Sequence, residues 1–262
     1  VAPSYREPMI DIHSHILPGL DDGSPDAEES LAMLRQAAEA GTTDIVATPH
    51  SDLQFAFDPV LVEQKIAELA EAAGPLIRIH YGCDFHLHYE NVREALADPS
   101  RYAINHKTYL LVEVSELMSV RTAGEAIARL LGTGIYPILT HPERNRVLQQ
   151  HISELERWVA GGCRLQITAQ SLIGDFGRKA RTCAFELLRR RLVDFVASDA
   201  HDSKNRTPRL DAAYAVVAKE FGSRYAQRLF ETNPAAVLAG EPLPESEQEP
   251  PASRRPWWRF WG

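Results

Sequence analysis

Seven short apolar runs, at 9–13, 44–48, 76–81, 109–114, 135–140, 164–168 and 194–198, alternate with longer stretches whose apolar residues recur at helical spacing. Runs of this length, rich in Ile, Val and Leu and bounded by turn residues, predict buried strands. The segment after the first run carries clear helix punctuation: Ser24 as N-cap, Pro25 at the first position, Asp26, Glu28 and Glu29 in the first turn, and Gly41 past the end. Its buried face is expected to be Leu31, Leu34 and Ala38. A second helix is predicted from Pro59 to Gly74, with Val62, Ile66, Leu69 and Ala73 facing the sheet. Further helices are expected near 122–132, 152–160, 178–191 and 209–221, with a short helical tail over 223–239. Strand and helix in such regular alternation imply parallel pairing through right-handed crossovers. Seven units around one core predict an α/β fold of the (β/α)7 barrel kind, closed or nearly closed, with an open doubly wound sheet as the alternative.

The pattern stops at Glu241. Pro and Glu dominate residues 241–251, which cannot supply a core and read as a linker, so residues 1–240 are expected to form one domain. The linker leads to Arg254-Arg255-Pro256-Trp257-Trp258-Arg259-Phe260-Trp261, which holds three of the four tryptophans. Such a mixture predicts peripheral contact with a membrane surface or docking on a partner protein.

Composition narrows the class of partner. The net charge of -8, from 36 acidic and 28 basic residues, argues against a surface that coats nucleic acid. The three cysteines, Cys83, Cys163 and Cys183, are widely spaced, as in a reduced cytoplasmic protein. Charged residues interrupt every apolar run, so no spanning segment is expected, and the residues before Met9 lack the apolar stretch of a signal peptide.

Chemistry gathers where the apolar runs end. Asp11-Ile12-His13-Ser14-His15 with Asp21-Asp22, then Thr48-Pro49-His50, Leu110-Leu111-Val112-Glu113, His141-Pro142-Glu143-Arg144 and Ala197-Ser198-Asp199-Ala200-His201 all sit at the expected active end of a barrel. His13 and His15 are two apart on a strand end, so both imidazoles can share one ion. A His-x-His pair alone is weak evidence. Asp22, His50, Glu113, His141, Asp199 and His201 at the ends of other runs change that, because unpaired buried ionisable groups are expensive. Mixed imidazole and carboxylate donors suit Mn, Fe or Zn. Cys183 and Arg189 match the spacing of a cysteine-dependent phosphatase, but they lie in a leucine-containing helical run without the glycines of a phosphate cradle, which predicts a packed thiol.

Asp-Ile-His-Ser-His-Ile at 11–16, Leu-Asp-Asp-Gly at 20–23, Ala-Thr-Pro-His at 47–50, His-Pro-Glu-Arg at 141–144 and Ala-Ser-Asp-Ala-His at 197–201 closely resemble the polymerase-and-histidinol-phosphatase (PHP) superfamily. The branch most similar is the bacterial capsule-regulating, metal-dependent protein-tyrosine phosphatases of CpsB/YwqE type. The resemblance runs from about Met9 to about Leu238. It implies a distorted TIM-like seven-stranded barrel with three divalent ions: the first on His13, His15, Asp84 and Asp199, the second on Asp84, Glu113 and His141, the third on Asp22, His50 and His201. Asp84 stands where the family pattern has glutamate, one methylene longer, and His86 and His88 nearby are alternative donors. Arg144 and Arg206 are the expected phosphate contacts, since guanidinium grips a phosphate in two-pronged fashion. The resemblance also implies a phosphotyrosine protein as substrate, a membrane tyrosine kinase of polysaccharide export, and so a role in capsule or exopolysaccharide synthesis. A small-molecule phosphatase for histidinol phosphate and a non-catalytic PHP-like binding module are the competing expectations.

Overall fold

The computed structural model describes residues 8–244. The Arg/Trp-rich segment 254–261 and most of the 241–251 linker lie outside the described residues.

Nine short strands run in parallel: β1 (Met9–Ser14), β2 (Thr42–Ala47), β3 (His50–Ser51), β4 (Arg78–Tyr81), β5 (Asp84–His86), β6 (Tyr109–Glu113), β7 (Tyr136–Thr140), β8 (Arg164–Thr168) and β9 (Phe195–Ala197). They pair as β1-β2-β4 and as β3-β5-β6-β7-β8-β9. These two sheets are one wall interrupted, because β2 with β3 and β4 with β5 are each a single strand broken by two residues. The register proves the continuity: Ala47 pairs with Tyr81, and three residues on along both chains His50 pairs with Asp84. Pro49 in the first break has no N–H for the ladder. Gly82 in the second sits where a Cβ would lie 2.7 Å from Val46 Cγ1, so only glycine lets the two strands close there. The wall therefore has seven staves, as the alternation of runs predicts.

Its last seam, between β9 and β1, is held differently. His15 N–H donates to Ala200 O and Asp199 N–H to His13 O, both at 2.8 Å. Below them the Asp11 carboxylate accepts from Ser198 N–H at 3.0 Å and Ser198 Oγ–H at 2.5 Å. Burial lifts the Asp11 carboxyl to about 6 even though the Ser198 hydrogen bonds favour its charged form.

Helices α1 (Ala27–Ala40), α2 (Pro59–Ala73), α3 (Tyr89–Ala97), α4 (Val120–Leu131), α5 (Ile152–Ala160), α6 (Ala169–Ile173), α7 (Gly177–Arg189), α8 (Asp211–Phe221), α9 (Ser223–Gln227) and α10 (Asn233–Ala239) clothe the wall. Residues on the outer face of the strands, such as Ile45, Leu110, Val112, Leu139, Leu165 and Val196, join the helices in the main core cluster. A second, smaller cluster of Ile10, Ile12, Val46, Tyr109, Leu111, Ile138, Phe195 and Ala197 fills the interior between the strands, with Val237 of α10 packed on it. The segment past residue 240 starts attached to this layer, since Tyr109 O–H donates to Glu241 O at 2.8 Å.

Several local expectations shift. Asp26, not Ser24, caps α1: its carboxylate accepts from Glu29 N–H, and Ser24 Oγ turns inward to Asp26 O and Ser30. The start moves two residues on; Leu34 is buried and Leu31 packs partly buried on the core as expected, while Ser30, Met33, Ala37 and Ala40 complete the buried face and Ala38 lies at its edge. In α2, Pro59 and all four expected contact residues are where the periodicity puts them. Strands β3 and β5 are too short to show a period, and α3 offers only Val92 and Ala95 as apolar buried spacing, so none of the three was expected.

Candidate metal centre

The polar cluster at the top of the barrel follows from the same alternation that makes its interior. On β6 the side chains of Tyr109 and Leu111 face inward, and Glu113 continues their phase. Phe195 and Ala197 of β9 lead in the same way to Asp199. On β1 the phase has to be changed, because Ile10 and Ile12 face inward and strict alternation would send His13 outward. A bulge does this: Asp11 pairs with Ile45 and Ser14 with Ala47, so three steps on β1 oppose two on β2. One extra residue re-aims His13 into the barrel. His141 and Asp199 hold their backbones at φ 34° and 51°, in the left-handed region that non-glycine residues avoid.

The loop after β1 delivers two carboxylates. Gly23 lies so close to His15 that an added Cβ would sit 2.3 Å from its carbonyl oxygen, and Ser24 N–H donates to that same oxygen. With the loop pressed there, Asp21 reaches His15 Nδ1 at 2.6 Å and the His50 amide at 3.1 Å. Asp22 Oδ1 instead lies between His50 Nε2 and His201 Nε2, at 3.3 and 3.4 Å.

All nine expected donor residues converge. His13 Nε2 and His15 Nε2 are 3.3 Å apart, and each faces Asp199 Oδ1, at 3.4 and 3.3 Å. Asp84 Oδ2 lies 3.7 Å from His13 Nε2 and 3.0 Å from His50 Nδ1. Glu113 Oε2 is 3.6 Å from His141 Nε2. Donor atoms within 4.8 Å of one another form three overlapping groups: His15, Asp22, His50 and His201; His50, Asp84, His86 and Glu113; and His13, His15 and Asp84.

Charge inside this pocket is finely divided. Burial pulls His15 down, but Asp21 and Asp199 outweigh it and carry the imidazole up to about 9. His50 is likewise pulled down by burial and raised overall, to about 11, by Asp22 and Asp84. His13, His141 and His201 go the other way, because burial dominates and keeps them neutral. Asp84 and Asp199 stay ionised despite burial, held by the surrounding histidines and, for Asp199, by Arg206.

Second contacts fix which imidazole nitrogen points inward. Gln166 Oε1 meets His13 Nδ1 at 3.0 Å, Asp21 meets His15 Nδ1, and the Asp199 carbonyl meets His201 Nδ1 at 3.1 Å. Each leaves Nε2 for the pocket, the arrangement that orients metal-binding histidines. Neither Asp21 nor Gln166 stood out in the sequence as a positioning residue. Both expected arginines also arrive at the rim. The guanidinium groups of Arg144 and Arg206 converge on Asp199 Oδ2, the latter at 2.6 Å, leaving Oδ1 to the histidines. The Phe176 ring lies 4.2 Å from the Arg144 guanidinium carbon and 5.9 Å from that of Arg206, a shared aromatic backing that nothing in the sequence flagged.

His80, His106 and His151 lie elsewhere and each has a protein partner, namely Asp44, Glu63 and the Val147 carbonyl. Cys183 sits within α7, its thiol pushed up to about 12 by burial, which suits packing and not nucleophilic attack.

The donor set fits divalent cations. Both oxygens of Asp84 are buried without an aligned hydrogen bond, and the close neighbour of Oδ2 is His50 Nδ1 at 3.0 Å, with His13 Nε2 at 3.7 Å. A buried carboxylate supported only by neighbouring imidazoles, with Oδ1 left without a donor, is costly. An ion bound by imidazole and carboxylate at about 2.0–2.2 Å satisfies it.

Three comparisons agree with this geometry. A family model described as capsular polysaccharide synthesis, CpsB/CapC, matches residues 9–239. The tyrosine-protein phosphatase YwqE of Bacillus subtilis is 34% identical over 256 residues, covering 94% of this chain and 98% of that protein. Among solved structures, the crystal structures of YwqE and of CpsB from Streptococcus pneumoniae, described as unique metal-dependent tyrosine phosphatases, provide a chain that superposes with a TM-score of 0.83 at 32% identity, over 92% of this chain and 99% of that one. A more distant histidinol phosphate phosphatase from Lactococcus lactis shares the fold, with a TM-score of 0.55 at 15% identity over 84% of this chain and 94% of its own. Matched over nearly the whole described barrel, the chain belongs to the CpsB/CapC family of capsular polysaccharide synthesis.

Proposed function

We propose that this protein is a metal-dependent phosphatase of phosphotyrosine proteins. Its substrate on this reading is a membrane tyrosine kinase that controls export of capsular or extracellular polysaccharide, met from the cytoplasmic side. The observation that carries the reading is Asp84: a buried, ionised carboxylate whose oxygens make no aligned hydrogen bond and whose close neighbours are the imidazoles of His50 and His13. Three divalent ions, Mn, Fe or Zn, are assigned to His13, His15, Asp84 and Asp199; to Asp84, Glu113 and His141; and to Asp22, His50 and His201. Bound there, such ions would polarise a phosphoryl group and would lower the pKa of water to roughly 7.

The chain's own residues do the rest. Arg144 and Arg206, tethered through Asp199 and backed by Phe176, offer guanidinium N–H groups to the phosphoryl oxygens, where negative charge collects during transfer. Arg206 Nε is buried and makes no hydrogen bond within the protein. Gln166 and Asp21 keep the histidine nitrogens aimed inward. A tyrosine leaving group, with a free pKa near 10, needs less protonation than an alkyl alcohol. The Arg/Trp-rich segment 254–261 is read as an anchor that holds the phosphatase near a membrane-bound substrate. No helix among the described residues is long and apolar enough to cross a membrane.

The test is hydrolysis of a phosphotyrosine peptide beside histidinol phosphate. Chelation should abolish turnover, re-addition of Mn, Fe or Zn should restore it, and Cys183→Ser should leave it unchanged. Full activity in chelator, or loss in the serine variant, contradicts the proposal, and preference for histidinol phosphate replaces the substrate.

A further inference from the structure

We infer that His86 is itself a metal ligand in this chain, a nitrogen donor to the position shared by Asp84 and Glu113. The inference rests on the metal-centre reading above and adds a residue to it.

Strand β5 contributes three residues. Phe85 is fully buried in the outer core cluster, so its neighbours Asp84 and His86 both face the barrel interior. The parallel register then sets His86 beside Glu113 on β6. His86 Nε2 comes to 3.1 Å from Glu113 Oε2, closer than His141 Nε2 on the same oxygen at 3.6 Å. That nitrogen is buried, and its contact with the Glu113 carboxylate is an ion pair without an aligned hydrogen bond. Glu113 is thus its close carboxylate neighbour, and the next, Asp52, is 4.0 Å away. By contrast His80, His106 and His151 each meet a protein acceptor within 2.9 Å.

Size explains why this chain needs the extra donor. A carboxylate that must serve two ions has to reach both, and Asp84 is one methylene shorter than the glutamate expected at this point. A histidine two residues along the same strand approaches from the same face and supplies a ligand where the short side chain withdraws. Donor atoms of His50, Asp84, His86 and Glu113 all lie within 4.8 Å of one another. An ion bound at about 2.0–2.2 Å spaces its ligands roughly 3–4 Å apart, so the quartet is near the required size.

The experiment measures metal and not turnover. Full-length protein, His86→Ala, and His86→Ala combined with Asp84→Glu are loaded with Zn or Co(II), and ion content is read by elemental analysis, affinity by competition with a chromophoric chelator, and coordination from the Co(II) absorption spectrum. Loss of one bound ion, or about tenfold or greater weakening at one site with an altered Co(II) spectrum, is expected in His86→Ala. The added Asp84→Glu should recover much of that loss, since the longer carboxylate restores the reach. Thermal unfolding in chelator identifies a variant that has merely misfolded, and then His86→Asn takes its place. Unchanged ion content, affinity and spectrum in the folded variant overturn the role of His86 while leaving the metal centre intact. A wild-type chain that binds no ion overturns both.

Discussion

The interior of the barrel has two halves made by the same strands, and they solve opposite problems. In the lower half Ile10, Ile12, Val46, Tyr109, Leu111, Ile138, Phe195 and Ala197 close on one another with Val237, all buried. One alternation higher, at Glu113 and Asp199 and beyond the bulge at His13, the inward positions are polar and mostly ionisable. Two residues of strand separate a core that excludes water from a pocket that gathers charge. Packing therefore holds the wall from below, and the upper half is free to gather buried ionisable groups that packing alone would not favour.

The sharpest way to break this comparison is to exchange the halves on one strand. Leu111→Glu puts an unpaired carboxylate into the apolar half and should cost more than about 4 kcal/mol, enough to unfold the domain. Glu113→Leu, two residues on, should leave urea unfolding in chelator unchanged or shifted to higher urea while removing bound metal. Equal destabilisation by both would mean that the halves are not energetically distinct. At the rim, Arg144→Lys keeps the charge but loses the planar fork, and kcat on a phosphotyrosine peptide should fall about 100-fold or more with metal content unchanged.

Protonation gives a smaller, graded effect. In the metal-free protein His15 and His50 are raised to about 9 and about 11, so both carry protons at neutral pH. Cations must displace them, and titration calorimetry near neutral pH in buffers of different ionisation heat should show proton release on metal binding. A folded pKa above the unfolded 6.5 stabilises fully below 6.5 and loses that contribution as pH climbs through about 9 for His15. Metal-free protein should thus lose stability between those values while metal affinity rises, and loaded protein should lack the decline. Binding heats independent of buffer would contradict the assignment.

Much of this was written plainly in the chain. The candidate donors directly follow apolar runs, where a polar residue is out of place unless a site needs it, so Glu113, His141 and Asp199 were readable as candidates by position alone. Asp21 was not, because two adjacent aspartates look alike until Gly23 presses the loop against His15 and decides which one faces the pocket. The bulge at Asp11–Ser14 leaves no mark on composition, and the breaks at Pro49 and Gly82 turn two strands into four pieces without altering the seven-fold order. Helix α1 shows how two local signals can compete: Ser24 and Asp26 both favour caps around Pro25, and Ser24, its amide tied to His15 O and its hydroxyl turned to Ser30, leaves the cap to Asp26. Phe176 touches the arginines only through the fold, from a stretch with no pattern of its own.

The most direct test of the metal centre is anomalous diffraction from crystals grown with Mn, collected on both sides of its absorption edge. Peaks are predicted inside the upper half of the barrel, within bonding distance of His13, His15, Asp84 and Asp199 and of the neighbouring Glu113 and His50 groups. A pocket without anomalous density in crystals of protein active with Mn would contradict the account.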